Sequence, residues 1–326
     1  MSAQLEVVLD LNEHPPGTPE YARARQTGIG GSLAGAVAGV SRYKTPYQAW
    51  TELTRDPEVM EEEKEVMTWG KLLEAPVRDE FSRRTGINVE PANLMLRNLN
   101  YPWMIASPDG ITYRDNLMRF PEGIYEGKTT RFADDWTTDV NGATKVAPEA
   151  AVQGQHYLAV TGLGVVHFAC LIGGQQLVIV EVERNETLIC DLIAIEEAFW
   201  HRVAERLAPP VLAADRSSLA RIFGKVKEGK TVELGKSAKT IFAQRAELVA
   251  KAKALTEQVD QIDAVVMASL GDAEIGTVAG EVAVTWKQST SNRIDSTALR
   301  EAHPALAAEF TKTTTTRRFL PKELSA

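Results

Sequence analysis

The sequence is poor in cysteine and contains no long apolar run. Only two of its 326 residues are cysteines, Cys170 and Cys190, and they form no CxxC pair. We therefore expect no disulfide framework, iron–sulfur cluster or zinc ribbon, and a reducing compartment such as the cytoplasm. The N-terminus lacks a basic segment followed by an apolar one, and no stretch approaches the length of a membrane span. These absences predict a protein without a signal peptide or a membrane partner.

An excess of positive charge is also missing. The formal net charge is -8, which argues against a protein that simply coats nucleic acid. It leaves open an enzyme that gathers its basic groups in one channel. With 326 residues, of which 44% are hydrophobic, the chain can bury one large core or two smaller ones.

The apolar periodicity changes along the chain from helical to strand-like and back. Pro76 predicts a kink or break within its helix, and the Asp109-Gly110 pair predicts a hairpin turn. The order of elements predicts an α/β fold in which helices flank a central mixed β-sheet. The predicted helices are 46–55, 57–85, 148–162 and 187–207, and the predicted strands lie in 87–130 and 165–184, with a turn at Gly173-Gly174.

The composition shifts after residue 208. We predict a core at 1–208 and a C-terminal extension at 209–326, which begins with a proline-, lysine- and glycine-containing junction. The extension contains a long polar helix at 237–270, followed by a hairpin. Apolar residues form a narrow stripe of helical or near-heptad spacing along this helix. Oligomer contacts, duplex DNA contacts and partner docking are all compatible with it.

The strongest chemical pattern combines Asp109, at a turn between strands, with Glu126 and Lys128 on a strand. Residues two apart on a strand project from the same face. Two carboxylates can hold Mg²⁺, and a neighbouring lysine can orient water or neutralise charge on a phosphate. Sixteen residues separate Asp109 from Glu126, and Pro108 precedes the aspartate, which matches the PD-(D/E)xK nuclease signature. By spacing alone, an ordinary turn and a solvated surface pair are the better explanation, and the order of turn, strand and following helix is what favours a site.

Four other residues extend this pattern. Glu74, on an upstream helix, could add a carboxylate, although taken alone it is better explained as an exposed glutamate on an amphipathic helix. Gln153 lies on the helix that follows the strand. Arg25 and Ser32 suit a phosphate near the start of the small-residue segment 28–39. The alternative for this pair is an N-cap serine with a surface arginine.

Two other signals carry less weight. Gly229-Lys-Thr and Leu234-Gly-Lys-Ser237 resemble a phosphate loop, but five residues separate Gly229 from Gly235 where the motif has four. His156 could face the site from the Gln153 helix, but a packing or surface role is the better expectation.

An ordered series of motifs resembles the YqaJ-type viral recombinases, which are relatives of the phage lambda exonuclease. The resemblance covers about residues 20–207. It rests on GIGGSLAGAVAGVSRYKTPYQAW, WGKLLE, ASPDGI, YEGKT, QGQHYLAVTG and EEAFW, in that order. It implies a PD-(D/E)xK core and a Mg²⁺-dependent 5′→3′ exonuclease, with Mn²⁺ as a substitute ion. Such an enzyme acts on linear double-stranded DNA ends and leaves 3′ single-stranded tails for recombination.

The resemblance also implies partners and a role for each site residue. It implies a homo-oligomeric ring, a single-strand annealing protein as partner, and the cytoplasm of a bacterium or phage-infected host. Two alternatives stay open: an endonuclease of the same superfamily and a DNA-end-binding scaffold without catalysis. The implied metal ligands are Asp109, Glu126, the Gly127 carbonyl and Glu74; Lys128 and Gln153 complete the catalytic set, and Arg25 and Ser32 hold the 5′-phosphate.

Overall fold

The protein comprises two compact units, Met1–Leu219 and Ala220–Ala326. Residues 213–219 lie beyond the predicted core boundary at residue 208, yet Asp215 and Ser218 form hydrogen bonds with the first unit. The Thr45 hydroxyl donates to Asp215, and Gln48 Nε2 donates to Ser218 Oγ at 2.8 Å. The computed structural model describes residues 4–56, 65–115, 117–133, 135–136, 145–224, 228–235, 237–313 and 317–322.

The first unit alternates strands and helices as the sequence predicts. Its strands are β1 (Leu5–Asp10), β2 (Ile29–Gly30), β3 (Asn88–Pro91), β4 (Leu94–Asn98), β5 (Tyr101–Ala106), β6 (Gly110–Tyr113), β7 (Gly123–Thr130), β8 (Val165–Ile172) and β9 (Gln176–Glu183). Its helices are α1 (Pro19–Arg25), α2 (Gly31–Val37), α3 (Pro46–Thr54), α4 (Glu65–Thr85), α5 (Pro148–Thr161) and α6 (Glu186–Ala204). A short 3₁₀ turn (Ala213–Asp215) leads into α7 (Arg216–Ile222), whose last residues belong to the second unit.

A five-stranded mixed sheet forms the centre of the first unit, in the order β3-β6-β7-β8-β9. Strands β7 and β8 are parallel, and α5 connects them, as parallel neighbours require. Alternate residues of these strands face opposite sides: Ile124 packs in the cluster with α5, whereas Tyr125 packs with Val77 and Phe81 of α4. The sheet therefore lies between α4 and α5, and the predicted α/β class is confirmed.

The expected hairpin at Asp109-Gly110 is wrong. Strand β5 pairs with β4 and β2 in a second, four-stranded sheet, whereas β6 pairs with β3 and β7. The Asp109-Gly110 turn thus carries the chain from one sheet to the other. Gly110 is required there because an added Cβ would lie 2.6 Å from Val89 Cγ1. The prediction of a central mixed sheet holds, but a second sheet stands beside it.

Two expectations about helix boundaries are also corrected. Helix α2 begins at Gly31 with Gly30 as its N-cap, so Ser32 lies in the first turn and is not the cap. Helix α4 runs continuously from Glu65 through Pro76 to Thr85, so of the kink or break expected at Pro76 the break is wrong. Its burial of Val77 and Phe81 against the sheet holds the turns after the proline in place. The predicted start of this helix, 57–64, lies outside the described residues.

The small-residue segment allows two helices to approach closely. A Cβ on Gly31 would lie 2.4 Å from Tyr157 Cε1, and one on Gly35 would lie 3.1 Å from Glu149 Cβ. Both glycines lie on α2, and Tyr157 and Glu149 lie on α5. This close packing brings the first turn of α2, including Ser32, next to the face of α5 that carries Gln153.

The second unit contains a long helix, a hairpin and two short helices. These are α8 (Ala238–Leu270), β10 (Ile275–Val278), β11 (Glu281–Thr285), α9 (Ser296–Ala302) and α10 (Pro304–Glu309). Helix α8 has no buried residue. None of the described helices combines the length and apolar character that crossing a membrane would require.

Candidate active site

The predicted site residues of β7 meet a side chain from α5. Lys128 Nζ donates to Glu126 Oε1 at 2.8 Å and to Gln153 Oε1 at 2.9 Å. Gln153 Nε2 donates to the same Glu126 oxygen at 2.8 Å. The three side chains form a closed hydrogen-bonded triangle, which fixes the lysine and the carboxylate relative to each other.

Tyr157 anchors this triangle to the neighbouring sheet. Its hydroxyl accepts from Gln153 Nε2 at 3.0 Å and donates to the Ser107 carbonyl at 3.1 Å. Burial and the Glu126 and Asp109 carboxylates hold the pKa of Tyr157 well above its ordinary value. The hydroxyl therefore stays protonated and holds Gln153 in one orientation.

Asp109 reaches the same strand from the turn between β5 and β6. Its Oδ2 accepts from the Gly127 N–H at 2.9 Å. Burial raises the pKa of Asp109 well above its ordinary value, and repulsion from Glu126 and Glu74 adds to this, against the opposing effect of Lys128. The Asp109 and Glu126 carboxylates thus share one region with the Lys128 ammonium group, which compensates their repulsion only in part.

The donor set fits a hard divalent cation. Glu126 is 3% exposed, and its Oε2 has no hydrogen-bond partner among the described residues. An unpaired buried carboxylate oxygen is unfavourable unless a cation or donor meets it. The raised pKa of Asp109 has the same implication, since a cation would offset the repulsion between the carboxylates. Oxygen ligands of this kind are the ones that Mg²⁺ prefers.

Glu74 lies on the wall of the cavity that contains the other two carboxylates. It lines a cavity of about 440 Å³ together with Asp109, Glu126, Gly127 and Lys128. Within the described ranges, however, no three His, Cys, Asp or Glu side chains are grouped as metal ligands. The structure therefore brings Asp109 and Glu126 to one place and puts Glu74 on the wall of the same cavity. The Gly127 N–H is engaged by Asp109, and a ligand role for its carbonyl stays a prediction.

Arg25 and Ser32 are neighbours in the structure. Arg25 Nη2 donates to Ser32 Oγ at 3.1 Å and to Glu52 Oε1 at 3.2 Å. Glu52 also forms an ion pair with Lys44. Ser32 and Lys44 line a second cavity, of about 420 Å³, which Lys128 and Gln153 line as well. Lys128 thus lines both the cavity that contains Asp109 and Glu126 and the cavity that contains Ser32 and Lys44.

Sequence reasoning missed Tyr157 and Lys44. Tyr157 follows Gln153 by four residues, so it lies on the same helix face, and this spacing was a usable signal. Lys44 gave no such signal, because only the loop before α3 places it beside Glu52. Of the packing or surface role expected for His156, the structure shows packing: the side chain is fully buried between Glu196 Oε1, at 2.8 Å, and the Ile105 carbonyl, at 2.9 Å.

The fold and this geometry define an α/β protein whose central sheet presents two carboxylates and a lysine in the PD-(D/E)xK pattern. Residues 20–164 match the family described as the YqaJ-like viral recombinase domain. The uncharacterized protein YqaJ of Bacillus subtilis (strain 168) is 30% identical over 313 residues, covering 94% of each chain. The chain belongs to this family. Because the match to YqaJ covers 94% of the chain, it extends into the second unit.

Similar solved structures include two exonucleases. An alkaline exonuclease (LHK-Exo) from Laribacter hongkongensis is 21% identical, with a TM-score of 0.48, and the likeness covers 63% of this chain and 100% of that one. A phage related exonuclease from Haemophilus somnus 129PT is 11% identical, with a TM-score of 0.41, over 58% of this chain and 100% of that one.

Proposed function

We propose that the protein is a Mg²⁺-dependent exonuclease that degrades one strand of linear double-stranded DNA from its 5′ end. The remaining strand is left as a 3′ single-stranded tail for recombination. The observation that carries the proposal is the hydrogen-bonded triangle that Lys128 and Gln153 form with the buried Glu126 beside Asp109, with one Glu126 oxygen unpaired. Membership of the viral recombinase family supports a DNA substrate.

The residues divide the chemistry between them. Asp109 and Glu126 would hold the ion, with the Gly127 carbonyl and Glu74 as further ligands. When bound, Mg²⁺, or Mn²⁺ in its place, supplies charge neutralisation at the phosphate and activation of water. Lys128 carries a fixed positive charge because the carboxylates of Glu126 and Asp109 outweigh the effect of burial and hold its pKa above the ordinary value. Gln153 orients the ammonium group, which in turn orients the attacking water and stabilises charge on the phosphate.

Recognition of a 5′-phosphate is assigned to Arg25 and Ser32. A guanidinium and a hydroxyl 3.1 Å apart can share a phosphate, and Lys44 adds a cation beside them. Glu52, which pairs with both cations, would exchange part of that pairing for the phosphate. The shared cavity wall at Lys128 connects this pocket to the carboxylates.

Three further assignments follow from the family. We propose a ring of identical subunits around the duplex, a single-strand annealing protein as partner, and action in the cytoplasm of a bacterium or phage-infected host. A ring would keep the DNA end at the site between successive cuts.

A digestion of linear duplex DNA, labelled at the 5′ end of either strand, tests the proposal. We expect mononucleotide release from 5′ ends with Mg²⁺ and none with a chelator. A 5′-phosphorylated end should be degraded faster than a 5′-hydroxyl end, and Arg25→Ala should remove that difference. Covalently closed circles serve as the control substrate and should stay intact. Cleavage of those circles would indicate an endonuclease, and end binding without any cleavage would indicate a scaffold.

A further inference from the structure

The long helix α8 carries an apolar stripe that nothing in the described chain covers. Its residues recur with a strict heptad spacing, and all are exposed, for example Leu255 at 61% and Leu248 at 65%. One row contains Ile241, Leu248, Leu255 and Ile262, and the other contains Arg245, Ala252, Val259 and Val266, with the half-buried Ala238 one heptad before Arg245. An alternating repeat of this kind over four heptads is the pattern of a coiled-coil seam.

The charges of α8 are divided between its two halves. The first half, 238–253, carries four cations and the single anion Glu247, a net charge of +3. The second half, 254–270, carries three anions and no cation. This distribution opposes the helix dipole, which favours acidic groups near the N-terminus and basic groups near the C-terminus. The cations are Lys239, Arg245, Lys251 and Lys253, and the anions of the second half are Glu257, Asp260 and Asp263.

We propose that α8 pairs with the α8 of a second copy of this chain, in antiparallel orientation. Antiparallel pairing places the basic half of each helix against the acidic half of the other, so that both the charges and the helix dipoles become complementary. A parallel pair would place like charges side by side along the whole seam. The mixed signs also argue against a membrane surface, since helices that lie on membranes favour a basic polar face.

The two rows of the stripe match each other in one antiparallel register. Val266 lies opposite Ile241 of the second copy, Val259 opposite Leu248, and Ala252 opposite Leu255. In the same register Arg245, the only charged residue of the seam, lies opposite Ile262 and next to Asp263 of the second copy. A single charged group with its counter-ion at a seam position fixes register and orientation. The full length of α8, 33 residues or about 50 Å, takes part in this pairing.

Sedimentation velocity of the full-length protein tests the pairing. Leu255→Glu places a charge in the seam, and Ala250→Glu places the same charge on the outer face of the same helix. We expect Leu255→Glu to lower the mass of the assembly, and Ala250→Glu to leave it unchanged. Circular dichroism should show that both variants keep their helix content. Equal masses for the original protein and Leu255→Glu would overturn the proposal.

Charge reversal tests the register. Arg245→Glu should weaken the association, because the introduced carboxylate would face Asp263 of the second copy, and adding Asp263→Arg should restore it. In a parallel pair, residue 245 of one chain would face residue 245 of the other. Asp263→Arg would then give no rescue. A failure of rescue therefore contradicts the antiparallel register even if Leu255→Glu dissociates the pair.

Oxidative cross-linking tests the orientation, in a Cys190→Ser background that removes the exposed native thiol. Ala238 and Ser269 lie at opposite ends of α8 and face each other only in the antiparallel pair. We expect Ala238→Cys and Ser269→Cys proteins to cross-link only when they are mixed. Cross-linking of either variant with itself would show a parallel pair and overturn the proposal.

Discussion

The two units of the protein use apolar side chains in opposite ways. In the first unit Leu158 is fully buried among residues of the central sheet and α5, whereas Leu255 in the second unit is 61% exposed on α8. The buried charged side chains among the described residues, such as Glu126 and Glu196, also lie in the first unit. The first unit therefore completes its core within one chain. The second unit exposes a regular apolar row on α8, and we propose that the α8 of a second copy buries this row.

The largest expected effect concerns the site of the first unit. Lys128→Ala removes the cation that Glu126 and Gln153 hold in place, and we expect a loss of DNA cleavage of about 100- to 1000-fold. Initial rates of nucleotide release from a 5′-labelled duplex measure it. Lys287→Ala, an exposed lysine of the second unit, is the matched control and should keep full activity. Activity within a few-fold of the original in Lys128→Ala would remove this residue from the catalytic set.

The second prediction concerns the buried pair of His156 and Glu196. Burial lowers the pKa of His156, but Glu196 outweighs it and holds the pKa above the ordinary 6.5. The stabilisation from this pair is therefore fully present below pH 6.5 and is lost as the pH rises through the folded-state pKa. Glu196→Gln leaves the histidine without its carboxylate, and we expect a loss of about 3 kcal/mol at acidic pH.

Urea unfolding at several pH values measures this effect. The stability difference between the original protein and Glu196→Gln should shrink as the pH rises above 6.5. Glu197→Gln is the control, because Glu197 is adjacent in sequence to Glu196 but its side chain is exposed. This substitution should change stability by no more than about 0.5 kcal/mol. A pH-independent difference would show that the pair is not charged in the folded protein.

The helices and strands of the first unit were predicted well, because the apolar periodicity within a long segment indicates its secondary structure without knowledge of its partners. Helices α5 and α6 and the β8–β9 hairpin lie within a few residues of their predicted bounds. The pairing of strands was not predictable in the same way. Asp109-Gly110 has the composition of a hairpin turn, but β5 and β6 join different sheets because each finds better partners elsewhere along the chain.

The site was predictable as a set of residues but not as a network. The sequence pointed to Asp109, Glu126, Lys128 and Gln153, and the structure places them together. The triangle through Glu126 Oε1, its support by Tyr157 and the sharing of Glu52 by Arg25 and Lys44 all depend on how α2, α3 and α5 pack. Such contacts between elements distant in sequence leave no periodic signal.

The third prediction follows from the repulsion between the carboxylates. Asp109→Asn keeps an oxygen to accept from the Gly127 N–H but removes one negative charge beside Glu126. We expect a gain in stability of about 1 kcal/mol in a chelator, together with loss of cleavage, as is common when a strained functional site is relaxed. Thermal unfolding with and without Mg²⁺ measures it. Added Mg²⁺ should stabilise the original protein and leave Asp109→Asn unaffected; destabilisation of that variant in chelator would contradict the prediction.

The smallest expected effect is that of Leu255→Ala, with the buried Leu158 as the leucine for comparison. Leu158→Ala opens a cavity in the core and should cost about 2–5 kcal/mol. Leu255→Ala removes the same atoms from an exposed row and should change the stability of the first unit by no more than about 0.5 kcal/mol. Hydrogen exchange of core amides, measured in dilute protein, reports that stability directly. At high protein concentration Leu255→Ala should weaken only the association through α8. If Leu255→Ala lowered core protection in dilute protein as much as Leu158→Ala, the stripe of α8 would be covered by its own chain, and the contrast between the two units would fail.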